Sequence, residues 1–195
     1  MAITVNQDEL TIINSMLAGL GDLPVEDLEE AASDADVLKA RQHLKQIMIS
    51  EQTLGWWFNT ETWEFTPDGT TGYIDLPDNT IRIKGQEQYI IRGGFLYDVT
   101  NHTLVIDEDT IDLNLVLLLD YDEVPYSFFQ YIQAKARYSF FLQEDGDPQQ
   151  TQLLAREYSE TLRVIQDENI QFKSPNAFTK NPTVQRVFSG WTSRR

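Results

Sequence analysis

The sequence predicts an α+β protein: a four-helix bundle of N- and C-terminal helical hairpins, an inserted small antiparallel β-sheet, and an extended C-terminal arm. Apolar residues recur every three to four positions in the first and last thirds of the chain, which is typical of amphipathic helices. Between residues 56 and 121 the period falls to two and turn residues recur, as in antiparallel strands. We therefore expect a helical domain from 1–55 and 124–170, a β domain from 56–123, and a docking arm from 171–195.

The N-terminal third predicts two helices joined by an acidic loop. The first extends from about Gln7 to Gly21, since glycine followed by Pro24 is typical of a helix end, and its apolar stripe consists of Leu10, Ile13, Leu17 and Leu20. The second is expected from about Asp34 to about Leu54 with Ser33 as the capping residue, and its stripe consists of Val37, Ala40, Leu44, Ile47 and Met48.

The segment Gly55-Trp56-Trp57-Phe58-Asn59 marks the change from helix to sheet. Gly55 can adopt the left-handed conformation that ends a helix. The aromatic side chains of Trp56, Trp57 and Phe58 are expected on both faces of the emerging strand, between a helix layer and the sheet. On physical grounds alone, an aromatic core with no further function explains this segment as well as a functional site does.

Three turns divide the β region: Pro67-Asp68-Gly69, Asp78-Asn79 and Gly93-Gly94. The last two have the length of two-residue hairpin loops. They predict one hairpin from residues 73–77 and 81–84 and another from residues 89–92 and 95–98. We therefore expect these strands to form a small antiparallel sheet.

Two helices are predicted after Pro125, a residue typical of a helix start. The third helix is apolar well beyond one stripe, so we expect it to be buried on several sides; its apolar residues are Phe128, Phe129, Tyr131, Ile132, Ala136, Tyr138, Phe140 and Phe141. Asp147-Pro148 is typical of a capped start for the fourth helix, whose stripe consists of Leu154, Tyr158, Leu162 and Ile165.

Composition restricts the class of protein. A chain of 195 residues with 41% hydrophobic residues can bury a core. It has no run of about 18 apolar residues and no basic, apolar signal segment at its start, so no membrane binding is expected. The sequence contains no cysteine, which excludes disulfides and thiolate chemistry. Folding in the host cytoplasm is the expectation.

Charge is unevenly distributed. The net charge is −16, from 31 acidic and 15 basic residues, which argues against a general nucleic-acid binder because phosphate contacts need basic surface. No acidic residue follows Glu168, whereas Lys173, Lys180, Arg186, Arg194 and Arg195 do. This basic segment, which also carries spaced aromatic residues, is either a solvated tail or a docking arm.

The residues that carry chemistry are few. His43 and His102 are the only histidines; both are expected at the surface, without partners at metal-ligand spacing. Gly19-Leu20-Gly21 follows a helix rather than a strand, so it does not predict a dinucleotide site. We therefore predict no catalytic, cofactor-binding or metal-binding residues and no enzyme activity. Glu61 and Glu64, beside Trp57 and Trp63, are the best pair for a glycosidase.

Five segments, in order along the first two thirds of the chain, resemble the tail tubular protein A family, the adaptor or gatekeeper of short-tailed phages. These segments are Asn14-Ser15-Met16-Leu17-Ala18-Gly19-Leu20-Gly21-Asp22-Leu23-Pro24-Val25, Gly55-Trp56-Trp57-Phe58-Asn59-Thr60-Glu61, Tyr73-Ile74-Asp75-Leu76-Pro77, Arg92-Gly93-Gly94-Phe95-Leu96-Tyr97-Asp98 and Asp120-Tyr121-Asp122-Glu123-Val124-Pro125. None of them is a catalytic signature. The chain after about Gln143 carries less of the resemblance.

The resemblance implies a structural adaptor ring of twelve copies that joins the portal protein to the tail nozzle, tail tubular protein B. Double-stranded DNA would pass through it during packaging and ejection without specific binding, and an acidic lining would repel its phosphates. The expected location is the virion tail. The alternatives are a tail-associated polysaccharide hydrolase, since an enzymatic role has been suggested for relatives, and a capsid-interior scaffold.

These expectations suggest three groups of candidate interaction residues. The portal-binding candidates are Phe178, Phe188, Trp191 and Arg195 in the arm. The nozzle-binding candidates are the turn residues Asp68, Gly69, Asp78, Asn79, Gly93 and Gly94, because loops on a rigid sheet can adapt to a partner. The candidates for the channel lining or for salt bridges between subunits are Glu26, Asp27, Glu29, Glu30, Asp122 and Glu123.

Overall fold

The computed structural model describes residues 7–144 and 146–173, and within them the chain has the predicted α+β class. Four helices flank a β region in chain order. The elements are α1 (Glu9–Leu20), α2 (Ala35–Gln52), β1 (Thr60–Phe65), β2 (Thr80–Ile83), β3 (Tyr89–Arg92), β4 (Phe95–Asp98), β5 (Ile111–Leu117), α3 (Tyr126–Glu144) and α4 (Pro148–Lys173). No helix of the described segments has the length and apolar character needed to cross a bilayer.

Helix α1 has the predicted C-terminal cap, whereas α2 has a different N-terminal cap. Gly21 adopts a left-handed conformation at φ +86° and its N–H donates to the carbonyl oxygens of the last turn of α1. Asp34, rather than the predicted Ser33, caps α2: its carboxylate accepts from the N–H groups of Asp36 at 2.9 Å and Val37 at 3.3 Å. Both residue types suit this position, so the prediction was wrong by one residue.

Helix α2 ends at Gln52, two residues before the predicted end. One further turn then closes with a bond of 3.0 Å from the Gly55 N–H to the Gln52 carbonyl oxygen. Gly55 has φ +75°, so its predicted left-handed conformation is confirmed. The expected strand at Trp56 is wrong, because the chain bends through these residues and β1 begins only at Thr60.

The β region contains two antiparallel sheets. The larger has the order β1-β5-β2, and the smaller is the β3-β4 hairpin. The Gly93-Gly94 hairpin is therefore confirmed. The predicted hairpin at Asp78-Asn79 is wrong, since Thr80 pairs with Leu117 of β5. The segment before that turn instead contacts the small sheet, where the Leu76 N–H donates to the Gly94 carbonyl oxygen at 2.9 Å.

Helices α3 and α4 are confirmed, with the predicted cap at Asp147, whose carboxylate accepts from the N–H groups of Gln149 and Gln150. Helix α3 is buried on several sides, as its composition predicts; its buried residues are Phe128, Phe129, Tyr131, Ile132, Ala134, Ala136, Phe140 and Phe141. It packs against all three other helices. Helix α4 continues to Lys173, into the segment that the sequence assigned to the arm.

Two apolar clusters form the core. One lies among the four helices and includes Trp56 and Phe128. The other lies in the β region and includes Leu96, Leu113 and Leu115. Leu119 packs against both clusters. The segment that joins β5 to α3 therefore connects the two cores, although the predicted domain boundaries themselves stay a prediction.

Candidate interaction surfaces

The aromatic junction divides into a buried and a half-buried part. Trp56 is 5% exposed, and its indole N–H donates to the Glu51 carbonyl oxygen at 2.8 Å. Its ring meets that of Phe128 edge-on at 5.7 Å. Trp57 is only half-buried and stacks parallel to Phe172 of α4 at 5.1 Å. Trp56 is thus a core residue, whereas Trp57 faces the surface.

Two buried amides join the helices to the larger sheet. The side chain of Asn59 accepts from the Trp56 N–H at 2.8 Å and donates to the carbonyl oxygens of Gln52 and Leu117 at 3.0 and 2.9 Å. The Gln52 side chain both donates to and accepts from the backbone of Leu119, at 2.8 Å in each direction. Since Asn59 and Gln52 are fully buried, these bonds fix the sheet against the end of α2.

An aromatic groove of about 720 Å³ lies between the start of α3 and the end of α4. Its walls include Trp57, Tyr126, Val164 and Phe172. The last three are 45%, 51% and 61% exposed, which is unusual for neighbouring apolar groups. One carboxylate, that of Glu168, lines this aromatic groove. The surface is suited to contact with another protein.

A second groove, of about 470 Å³, lies between α2 and residues 118–121. The guanidinium of Arg41 lines it and donates twice to the Glu9 carboxylate, at 3.2 Å each, which raises the pKa of Arg41. Burial, with the charge of Glu9, raises the pKa of Tyr121 to about 12. In this α2 groove, Arg41 and Glu9 are therefore paired with each other.

The predicted nozzle-binding turns are all exposed, but they do not lie together. Asp68 follows β1 at the end of the sheet where Phe65 pairs with Ile111. Its carboxylate accepts from the N–H groups of the same turn, chiefly that of Thr71, which lowers the pKa of Asp68. Asn79 lies at the other end of the sheet, where its carbonyl oxygen accepts from the Leu118 N–H at 2.7 Å. Gly93 and Gly94 form the tip of the small sheet.

The predicted channel or inter-subunit residues occupy two exposed segments. In the first, Asp27 caps a turn by accepting from the N–H groups of Glu29 and Glu30. The Glu29 carboxylate lies 3.7 Å from the guanidinium of Arg41. In the second segment, Glu123 accepts from the Asp120 N–H at 3.0 Å, and the neighbouring Asp122 is exposed.

A cluster of basic residues lies at the end of α2, where sequence reasoning did not expect a site. The ammonium groups of Lys84 and Lys173 both donate to the Gly55 carbonyl oxygen, at 3.0 Å each. The guanidinium of Arg82 donates to the Thr53 carbonyl oxygen at 3.4 Å. These residues come from β2, α4 and the segment after β2, so no local sequence pattern links them.

The best carboxylate pair for hydrolysis is not brought together. Glu61 and Glu64 are three positions apart in β1, where side chains alternate between faces, and Glu61 accepts from the Trp63 indole N–H at 2.8 Å. His102 is exposed. His43, expected at the surface, is half-buried instead, bonds Ser139 at 2.7 Å and has a pKa lowered by burial.

The described residues contain no cluster of histidine and carboxylate side chains that could hold a metal ion. The portal-binding candidates Phe178, Phe188, Trp191 and Arg195 lie outside the described residues. Their role stays a prediction.

Comparison with known protein families gives a match. A family model described as tail tubular protein matches residues 10–175. No curated protein matches the chain. Apart from Glu9, the first residue of α1, the match covers all four helices and both sheets of the described structure, and it agrees with the family that the five sequence segments resemble. The chain therefore belongs to the tail tubular protein family and is a structural component of a phage tail.

Proposed function

We propose that this chain assembles into the adaptor ring that joins the portal to the tail nozzle and encloses part of the DNA channel. Membership of the tail tubular protein family carries the proposal. The ring is built of identical copies, by family analogy twelve, and it forms in the host cytoplasm before it becomes part of the virion tail. The function is structural and needs no catalysis or cofactor.

Exposed apolar surface supports an assembling protein. The aromatic groove leaves Tyr126, Val164 and Phe172 largely open to solvent, whereas the α2 groove lies on another helix. A closed ring of more than two copies requires heterologous contacts, in which each copy uses two different surfaces. Surfaces on separate elements suit that requirement.

The C-terminal arm is the proposed portal-binding element. The last described residues of helix α4 lie at the aromatic groove, which Phe172 lines, so the residues after 173 are attached to the fold next to an exposed apolar surface. They include Phe178, Phe188, Trp191 and Arg195 and no acidic side chain. Aromatic and arginine side chains are the usual anchors of protein interfaces.

The turns at Asp68, Asn79 and Gly93 are the candidates from which the nozzle contact is proposed. Because Asp68 and Asn79 lie at opposite ends of the larger sheet, one flat partner surface does not reach all three turns. The nozzle would therefore bind one end of the β region, with the other end directed elsewhere in the tail.

The acidic surface is the proposed lining of the DNA channel. Duplex DNA carries one phosphate charge per roughly 1.7 Å of its axis. Exposed carboxylates such as Asp122 and Glu123 would repel it and keep the duplex from binding as it moves. A net charge of −16 agrees with passage of DNA rather than retention.

Electron microscopy of the purified chain mixed with its portal protein tests the proposal. Oligomeric rings stacked on portals are expected. Monomers that leave the portal unoccupied would overturn the adaptor function, and cleavage of a capsular polysaccharide by the same preparation would favour the hydrolase.

A truncated chain that ends at Lys173 tests the portal-binding arm. Its melting temperature should stay within a few degrees of the wild-type value, because the described fold is complete at that residue. Its affinity for the portal should fall by about tenfold or more. Wild-type affinity of the truncated chain would show that the portal binds elsewhere.

A further inference from the structure

The end of α2 is surrounded by cations that other elements supply. Helix α2 has no basic residue in its own last turn. Lys84 and Lys173 bond the carbonyl oxygen of Gly55, and Arg82 bonds that of Thr53. We refer to Arg82, Lys84 and Lys173 as the cationic cluster. A cation near a helix C-terminus is favourable because it opposes the helix dipole, which explains the presence of one such group.

The helix dipole does not explain two ammonium groups on one carbonyl oxygen. Burial and the nearby charge of Lys84 both lower the pKa of Lys173, so the two cations disfavour each other. Within residues 7–144 and 146–173, no carboxylate lies within 4.0 Å of Arg82, Lys84 or Lys173. The buried hydroxyl of Thr60, which lies next to Gly55, has no hydrogen-bond partner among these residues. The cationic cluster is therefore suited to bind an anion.

The opposite charge lies at the other end of the same helix. No lysine or arginine occurs before Lys39, and the loop that precedes α2 carries Glu26, Asp27, Glu29 and Glu30, all exposed. We refer to residues 26–30 as the acidic loop. Within the described residues, the ion pair of this loop is a long one, from Glu29 to Arg41 at 3.7 Å. The carboxylates of Glu26 and Glu30 are available to a partner.

The two surfaces cannot pair within one copy. The acidic loop contacts α2 as far along as Arg41, and from Arg41 to its end at Gln52 the helix still spans roughly 16 Å at 1.5 Å per residue. Two complementary surfaces at opposite ends of a rigid element can meet only between copies. Such a contact is heterologous, the type that a closed ring requires.

We propose that the cationic cluster of one copy binds the acidic loop of a second copy, and that this contact repeats around the ring. The inference rests on the proposed ring and names the surfaces by which its copies meet. A carboxylate of the acidic loop would contact the ammonium groups of Lys84 and Lys173 together. Charge-assisted bonds of this kind fix the orientation of the two partners.

Mixing two charge-reversed variants tests the pairing. The first carries Lys84→Glu and Lys173→Glu; the second carries Glu26→Lys, Glu29→Lys and Glu30→Lys and keeps Asp27, which caps its turn. Each variant alone presents two surfaces of like charge, so its association in sedimentation velocity, with or without portal, should weaken by roughly tenfold or more at low salt. An equimolar mixture has opposite charges at every contact and should associate again.

Matched controls distinguish a loss of the contact from the effects of altered net charge and of misfolding. Arg156→Glu with Arg163→Glu makes the same change in net charge as the first variant, on an exposed face of α4, and should associate as the wild type does. Circular dichroism verifies the fold of each variant. If Lys84→Glu does not fold, Arg82→Glu with Lys173→Glu replaces it, because both of those side chains are exposed.

The outcomes distinguish this inference from the proposed function. Wild-type association by either reversed variant, or a mixture that fails to recover, overturns the contact and leaves the ring intact. A wild-type chain that associates neither alone nor on portal overturns the ring and the contact together. If reversal of the cationic cluster abolishes salt-sensitive DNA retention but leaves association unchanged, the cluster binds phosphate and the contact is refuted.

Discussion

Asn59 is expected to contribute strongly to stability, and Asn59→Ala tests that role. The substitution removes the acceptor of the Trp56 N–H and the donors to the carbonyl oxygens of Gln52 and Leu117. The Gln52 carbonyl oxygen keeps a bond from the Gly55 N–H at 3.0 Å. The main consequence is therefore a buried Trp56 N–H without a partner.

The expected loss follows from these groups. A buried donor left unsatisfied costs about 1 to 3 kcal/mol, and each lost neutral hydrogen bond contributes about 1 kcal/mol. The free energy of unfolding should fall by about 2 to 4 kcal/mol. Asn59→Asp keeps the acceptor for Trp56 but turns a carboxylate oxygen toward two carbonyl oxygens, so it should be at least as destabilising as Asn59→Ala.

Urea denaturation followed by circular dichroism measures the effect. With a slope of about 2 kcal/mol per molar urea, the midpoint should fall by roughly 1 to 2 M. Asn79→Ala is the matched control: its amide also donates to a carbonyl oxygen, that of Leu118 at 3.2 Å, but the residue is exposed. It should cost no more than about 0.5 kcal/mol. Equal midpoints for the two alanine variants would refute the role assigned to Asn59.

Three further predictions follow. In the same urea assay, Trp56→Ala should lower the free energy of unfolding by about 3 to 5 kcal/mol. Trp63 is 39% exposed, so Trp63→Ala should lower it by less than about 1 kcal/mol. Similar losses for the two variants would contradict the burial assigned to the two residues. Glu51→Ala removes the carboxylate that binds the buried Tyr131 hydroxyl and the partly exposed Lys135 and should cost about 1 to 3 kcal/mol, whereas an unchanged melting temperature would exclude a stabilising role. Burial lowers the pKa of His43, so the folded protein binds this proton less readily than the unfolded chain, whose histidine pKa is about 6.5. Stability should therefore fall as pH decreases below about 6.5, more in wild type than in His43→Gln; parallel melting curves from pH 7.5 to 5.5 would contradict this.

The sequence predicts the helices well because their signals are local. Four apolar stripes and the caps at Gly21 and Asp147 lie within a few residues of the helix ends they define. The error at α2 is of the same local kind. Ser33 and Asp34 are both good capping residues, and only the path of the chain decides that Asp34 bonds the first turn.

The sheet is predicted less well because its pairing is not local. Gly93-Gly94 joins two strands that pair directly, so a turn pattern is sufficient there. Asp78-Asn79 has an equally typical turn composition, but β2 pairs with β5, which lies nearly thirty residues further along the chain. No residue pattern near the turn indicates that β2 pairs with β5. The order β1-β5-β2 therefore could not be derived from the turns.

The aromatic segment of residues 55–59 can be recognised in the sequence, but the role of each of its residues cannot. Three successive aromatic residues predict burial without indicating which of them is buried. The packing of α3 against the junction decides it: Phe128 contacts Trp56, while Phe172 of α4 stacks on Trp57. Asn59, the polar residue of the segment, makes the bonds that join helix and sheet. Its role depends on Leu117, which only the folded chain brings near.

The candidate surfaces follow the same division between local and non-local information. The acidic loop is contiguous in sequence, so its charge is visible before folding. The cationic cluster combines Arg82 and Lys84 with Lys173, almost ninety residues away, around the carbonyl oxygen of Gly55. A chain with a net charge of −16 can thus have a local basic surface, because folding brings together basic residues that are far apart in the sequence. That surface is the one that the proposed contact between copies would use.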